Sequence, residues 1–227
     1  MTSAIERPKR GGKRSGAGRP KRPHQHDAPH RRRPSLSPKH PVHVVLRTAA
    51  WVPWLRRGVV YRALRRVLER YHGRTAFRVI HVSIQKNHLH LLVEAGDRRA
   101  LTAGMQSFAI NAARALNACD GRTGQVFAYR YHATQIRTPW HARHALAYVL
   151  NNWRRHRQDV ASARTLAAKL DPYASGLAFA GWAQRPRFAT PAGYKPLPVS
   201  APMTALLAFD WQRFGLIDLH ETPGPLH

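Results

Sequence analysis

Gln85-Lys86-Asn87-His88-Leu89-His90-Leu91-Leu92-Val93 is the stretch from which the rest of the chain is read. The two histidines are separated by one leucine, so on a strand they share one face of a sheet. On that face they can bind one metal ion together. Leu89, Leu91 and Val93 point the other way and can enter a core. A His-x-His pair alone is an unspecific signal, since two histidines on a solvated sheet face satisfy the same pattern.

The segments around it alternate in kind. Residues 41–48 read as a strand, with Val42, Val44 and Leu46 on one side and His43, Val45 and Arg47 on the other. A helix is predicted over 58–71, where Val60, Leu64, Val67, Leu68 and Tyr71 recur at helical spacing and arginines cover the rest. Residues 76–85 return to strand, with Ile80, Val82 and Ile84 expected on one face and Phe77, Val79, His81 and Ser83 on the other. Lys86-Asn87 makes the tight turn into the His88 strand. A second helix follows over 99–117, then an aromatic stretch from Val126 that ends in a fourth strand over 133–137. The order β-α-β-β-α-β is the split βαβ pattern, so the expected class is α+β with a ferredoxin-like sheet.

A third helix is then added at the C-terminal side of that sheet. Thr138 is a good N-cap and Pro139 occupies the favoured first position. Ala142, Leu146, Val149 and Trp153 form its core stripe. At about 100° per residue, Tyr148 falls roughly 130° from the middle of that stripe, and Asn152 is its i+4 neighbour. His141 and Arg155 flank the same side. A tyrosine paired with an asparagine there is not placed like a core residue.

Composition bounds the function. The 227 residues carry 38 Lys and Arg against 11 Asp and Glu, a formal charge of +27. Such a field makes nucleic acid the expected partner. Residues 1–40 read as a disordered basic arm, with Arg19, Arg31, Arg32 and Arg33 as candidate DNA contacts. Within it, Gly18-Arg19-Pro20-Lys21-Arg22 looks like an AT-hook core that lays arginine into a narrow minor groove. A solvated tail that touches phosphates without preference fits as well. Residues 158–227 show no catalytic constellation and read as a C-terminal extension. Cys119 is the only cysteine, which fits a reducing, cytoplasmic setting, and a nucleic-acid partner makes it nucleoid-associated. Neither a secretion signal nor a membrane span is expected.

The acids also exclude a chemistry. Two-metal nucleases that rely on carboxylates need several convergent Asp or Glu ligands. Here Glu69, Glu94, Asp97, Asp120 and Asp159 are scattered, and Asp120 is the only acid between Arg98 and Gln158. For a nucleic-acid enzyme, this balance favours histidine or tyrosine chemistry.

Asn87-His88-Leu89-His90-Leu91-Leu92-Val93, followed about 55 residues later by Tyr148-Val149-Leu150-Asn151-Asn152, resembles the one-tyrosine HUH transposases. That group includes the REP-associated tyrosine transposases and the IS200-like transposases. Gln125-Val126-Phe127-Ala128-Tyr129-Arg130-Tyr131-His132 is similar to the segment before that family's fourth strand. The resemblance covers about residues 41–157, and Trp153 departs from it where many relatives have proline. It implies that His88, His90 and Asn152 ligate a divalent cation, Mg²⁺ or Mn²⁺, and that Tyr148 is the nucleophile. It implies an enzyme that nicks and rejoins single-stranded DNA or hairpin ends through a 5′-phosphotyrosine, as a monomer or a homodimer. His43 and His81 fall by strand parity on the metal face, as residues behind the ligands or in contact with DNA. Tyr129 and Tyr131 are rival nucleophiles. Two other readings stay open: a ferredoxin-like module that binds nucleic acid without cutting it, and a zinc hydrolase built on His88, His90 and His81.

Overall fold

In the computed structural model, which describes residues 35–160, 170–186 and 192–224, the chain runs β1 (Val42–Arg47), α1 (Gly58–Glu69), β2 (Phe77–Ile84), β3 (His88–Ala95), α2 (Arg98–Cys119), β4 (His132–Gln135) and α3 (Pro139–Arg155). A 3-10 turn at Gly176–Ala178, the short helix α4 (Ala205–Ala208) and a second 3-10 turn at Asp210–Phe214 follow. These residues belong to one unit, Arg31–His227. Arg19, Arg31, Arg32, Arg33 and the AT-hook-like segment lie outside the described residues.

The four strands form one antiparallel sheet in the order β2-β3-β1-β4. β3 lies between β2 and β1, so the two βαβ units interleave as the split pattern requires. The expected α+β, ferredoxin-like class is the one found. Lys86 and Asn87 close the β2–β3 hairpin, where the Gln85 amide donates to the His88 carbonyl at 2.9 Å.

Helices α1 and α2 cover one face. Val42, Val44, Leu46, Leu89, Leu91 and Val93 meet Leu64, Leu68, Met105 and Phe108 there, all essentially shielded from water. α2 comes so close to β2 that a Cβ on Gly104 would run into the Phe77 ring. α3 covers the other face, with Ile80, Leu92, Ala142, Leu146, Val149 and Leu150 in a second core. Leu170, Trp182, Leu207, Trp211, Ile217 and Leu219 complete that core from the C-terminal segment. Glu94 anchors this segment: buried and paired with Arg78, it accepts from the Thr204 amide at 2.9 Å and the Thr204 hydroxyl at 2.7 Å.

One expectation for β2 is corrected. A bulge between Val79 and His81 interrupts the pairing with β3. The extra residue resets the alternation, so Phe77 and Val79 join Val82 and Ile84 under α1 and α2, while Ile80 turns to α3. The fourth strand is also displaced by one to two residues, to His132–Gln135.

Candidate functional site

The site is formed by the sheet face under α3. In β3, His88 and His90 point to that face. Their Nε2 atoms approach to 2.8 Å. Each ring is held from behind. His88 Nδ1 donates to Asn87 Oδ1 at 2.8 Å, which leaves His88 Nε2 as a lone pair. His90 Nδ1 lies 3.0 Å from His43 Nε2, and the two rings stack at 5.2 Å. Two imidazole nitrogens at this separation can share one proton or jointly ligate one cation. A polar partner on the distal nitrogen is the arrangement that orients metal-binding histidines.

Burial keeps these rings neutral. Desolvation lowers the pKa of His88 to about 4, with the His156 and Arg47 charges adding to the effect. His43 is lowered to about 3, first by burial and then by His132, His141 and His88. His90 is driven well below the ordinary histidine value by burial and by its neighbours His43 and His88. At neutral pH all three are bases with lone pairs to give.

α3 supplies the opposite wall. Its N-cap forms as expected: Thr138 accepts from the His141 amide at 3.2 Å. Trp153 is fully buried, and the helix continues through it to Arg155. Tyr148 is half-buried, with its ring edge-on to His90 at 5.2 Å and to His43 at 5.8 Å. Two turns later, the His156 ring stands 5.9 Å from that of His88. Asn152 lies on the same helical line between them, one turn from each, and therefore faces the histidine pair.

Asn152 is the informative residue. It is fully buried, yet neither its Oδ1 nor its Nδ2 has a hydrogen-bond partner. An orphaned polar group costs roughly 1–3 kcal/mol, and here both ends of one amide are orphaned. Asn151 shows the contrast: its amide donates to the Asp218 carbonyl at 3.0 Å. An unused amide oxygen beside two neutral imidazoles is a mixed N/O donor set suited to a divalent cation. Among the described residues no group of three or more His, Cys, Asp or Glu side chains is arranged to hold a metal ion.

The other sequence-derived candidates are placed as follows. His81 shares the sheet face but is held away from the pair: its Nδ1 meets Ser175 Oγ at 3.0 Å and its ring packs against Phe179. Arg155 is exposed and donates to the Pro223 carbonyl at 3.3 Å. Tyr131 packs against the core under α1 and α2, and Tyr129 is exposed in the loop before β4. The five scattered acids are occupied elsewhere: Glu69, Asp120, Asp159 and Glu94 pair with Arg65, Arg57, Arg154 and Arg78, and Asp97 caps α2. Sequence reading passed over Asn87 and His156. His156 was findable, since it continues the i, i+4 line of Tyr148 and Asn152.

The His-x-His pair of β3 and the tyrosine and asparagine of α3 thus lie between a four-stranded split βαβ sheet and the helix that covers it. The family model described as transposase IS200-like matches residues 37–152, just over half of the chain. The chain belongs to that family and is by membership a DNA transposase. A solved structure of a REP-associated tyrosine transposase bound to a REP hairpin is similar at 15% identity, over 56% of this chain and 74% of that one, with a TM-score of 0.45. No curated protein sequence matches the chain. Among the described residues no helix is long and apolar enough to cross a membrane.

Proposed function

We propose that the protein cleaves and rejoins single-stranded DNA, or the single-stranded flank of hairpin ends, with Tyr148 as the nucleophile. His88, His90 and Asn152 would hold one divalent cation, Mg²⁺ or Mn²⁺. The observation that carries this reading is the fully buried, unpartnered Asn152 amide facing two neutral imidazoles. When bound, the cation supplies Lewis-acid polarisation of a phosphate oxygen.

The chain's own residues do the rest. Asn87 and His43 hold the ligand rings in orientation. Half-buried Tyr148 has its ring fixed against His90 and His43, so its hydroxyl is presented with little freedom left to lose. Attack by the phenolic oxygen forms a tyrosine–phosphorus bond and breaks the bond to the 3′ oxygen. The phenol loses its proton and the departing 3′ oxygen gains one. The phosphodiester count is unchanged, so a 3′-hydroxyl can reverse the step without a nucleotide cofactor. Arg155, and Arg19, Arg31, Arg32 and Arg33 in the basic arm, would contact phosphates, with His81 kept as a support of the sheet. A +27 chain acting this way is expected on the nucleoid of the cytoplasm, as monomer or homodimer.

The test is metal titration by calorimetry on the full chain. His88→Ala/His90→Ala should abolish Mn²⁺ binding that the parent shows. Equal binding by both would refute the cation site.

A further inference from the structure

The loop between β1 and α1 leaves two tryptophans in water beside the site. Trp51 is 59% and Trp54 64% exposed. Exposed indoles of this size are costly in apolar surface and concentrate where a partner covers them. The loop is braced. Trp51 Nε1 donates to the Gln125 carbonyl at 3.3 Å, and Arg57 Nε donates to the Trp54 carbonyl at 2.8 Å.

The brace leads directly to the histidine pair. The Leu55 amide donates to the Lys86 carbonyl at 2.8 Å, and the Thr48 amide and hydroxyl both donate to the Asn87 carbonyl, at 2.9 and 3.0 Å. Asn87 is the residue that orients His88. Lys86 also places its ammonium 3.5 Å from the centre of the Trp54 ring. Arg47, exposed at the end of β1, pairs directly with His88 across the sheet. Exposed indoles, one of them with a cation packed over its face, next to the histidine hairpin match one ligand chemistry: bases that stack on the remaining indole surface while their phosphates meet the cations.

We infer that Trp51 and Trp54 form a base-stacking platform that holds the single-stranded DNA flanking the scissile phosphate, with Lys86 and Arg47 on its backbone. The inference rests on the reading of the His–Tyr site as one that acts on single-stranded DNA. Duplex DNA keeps its bases stacked on each other and does not use the platform. The platform therefore selects strands that are already open.

The test uses the full chain and a fluorescein-labelled oligonucleotide, single-stranded or annealed to its complement, at one fixed salt concentration. Anisotropy gives the Kd of each. Trp54→Ala and Trp51→Ala are expected to weaken single-strand binding about tenfold each and to leave duplex binding within about twofold. Trp54→Phe, which keeps a stacking face, should retain most of the affinity. The inference is overturned if both alanine variants bind the single strand as the parent does, or if they lose single-strand and duplex binding equally. Covalent adduct formation by Tyr148 is scored separately. Adduct without tryptophan-dependent binding removes the platform and keeps the enzyme. Tryptophan-dependent binding without adduct keeps the platform and removes the nuclease reading.

Discussion

The ring of Tyr148 stands edge-on to the ring of His90, with centroids 5.2 Å apart and planes at 89°. This contact joins α3 to the β2–β3 hairpin, two segments whose residues here lie 58 positions apart in sequence. Because His90 in turn stacks on His43, the orientation of the proposed nucleophile and that of a proposed ligand are set by the same packing.

His43 should therefore act on metal affinity without being a ligand. His43→Phe keeps an aromatic ring, slightly larger than imidazole, and removes the nitrogen 3.0 Å from His90. Mn²⁺ affinity by calorimetry should fall roughly 10- to 100-fold. Unchanged affinity would mean that His90 needs no support from behind.

Asn152 gives a prediction that separates stability from function. Asn152→Ala removes a buried amide that has no partner, and the relief offsets the small cavity left, so the Tm should not fall by more than a degree or two. Cation affinity should drop at least tenfold. A large loss of stability with intact affinity would make Asn152 a packing residue.

His81 makes stability depend on pH. Its folded pKa is about 4, lowered from 6.5 by burial alone. As pH falls, the unfolded chain takes up this proton first, so the stability is fully present above pH 6.5 and is lost as pH falls towards 4. His81→Gln should flatten the fall in unfolding free energy between pH 7 and pH 5 by about 2 kcal/mol. Denaturant melts at the two pH values measure it. An unchanged slope would show that other groups carry the dependence.

Gly104 tests the close approach of α2 to β2. Alanine raises helix propensity by about 1 kcal/mol, but its Cβ meets the Phe77 ring. The clash should win, and Gly104→Ala is expected to lower stability by about 1–3 kcal/mol, read as a drop in Tm. Gly104→Ala with Phe77→Leu should recover part of it.

Much of this arrangement was legible in the chain. The alternation in Val42–Arg47 and His88–Ala95 and the capped start of α3 at Thr138 are local signals, and local physics realised them. The bulge at Ile80 was not, because it arises from pairing with β3 rather than from any residue in β2 itself. The separation of His81 from the His88–His90 pair was hidden for a related reason. Ser175 and Phe179 claim it from nearly a hundred residues away, and no periodicity in either segment announces that contact. Asn152 was visible as the i+4 partner of Tyr148, whereas its lack of any hydrogen-bond partner required the packed fold.

The central claim is that Tyr148 attacks DNA, and one measurement addresses it directly. The full chain is incubated with a 5′-labelled or 3′-labelled single-stranded oligonucleotide that carries a hairpin and a single-stranded flank, with Mn²⁺ or Mg²⁺, and resolved under denaturing conditions. The parent should form a covalent protein–DNA adduct on the 3′-labelled fragment that chelation prevents and Tyr148→Phe abolishes. Adduct formed equally by Tyr148→Phe would contradict the account.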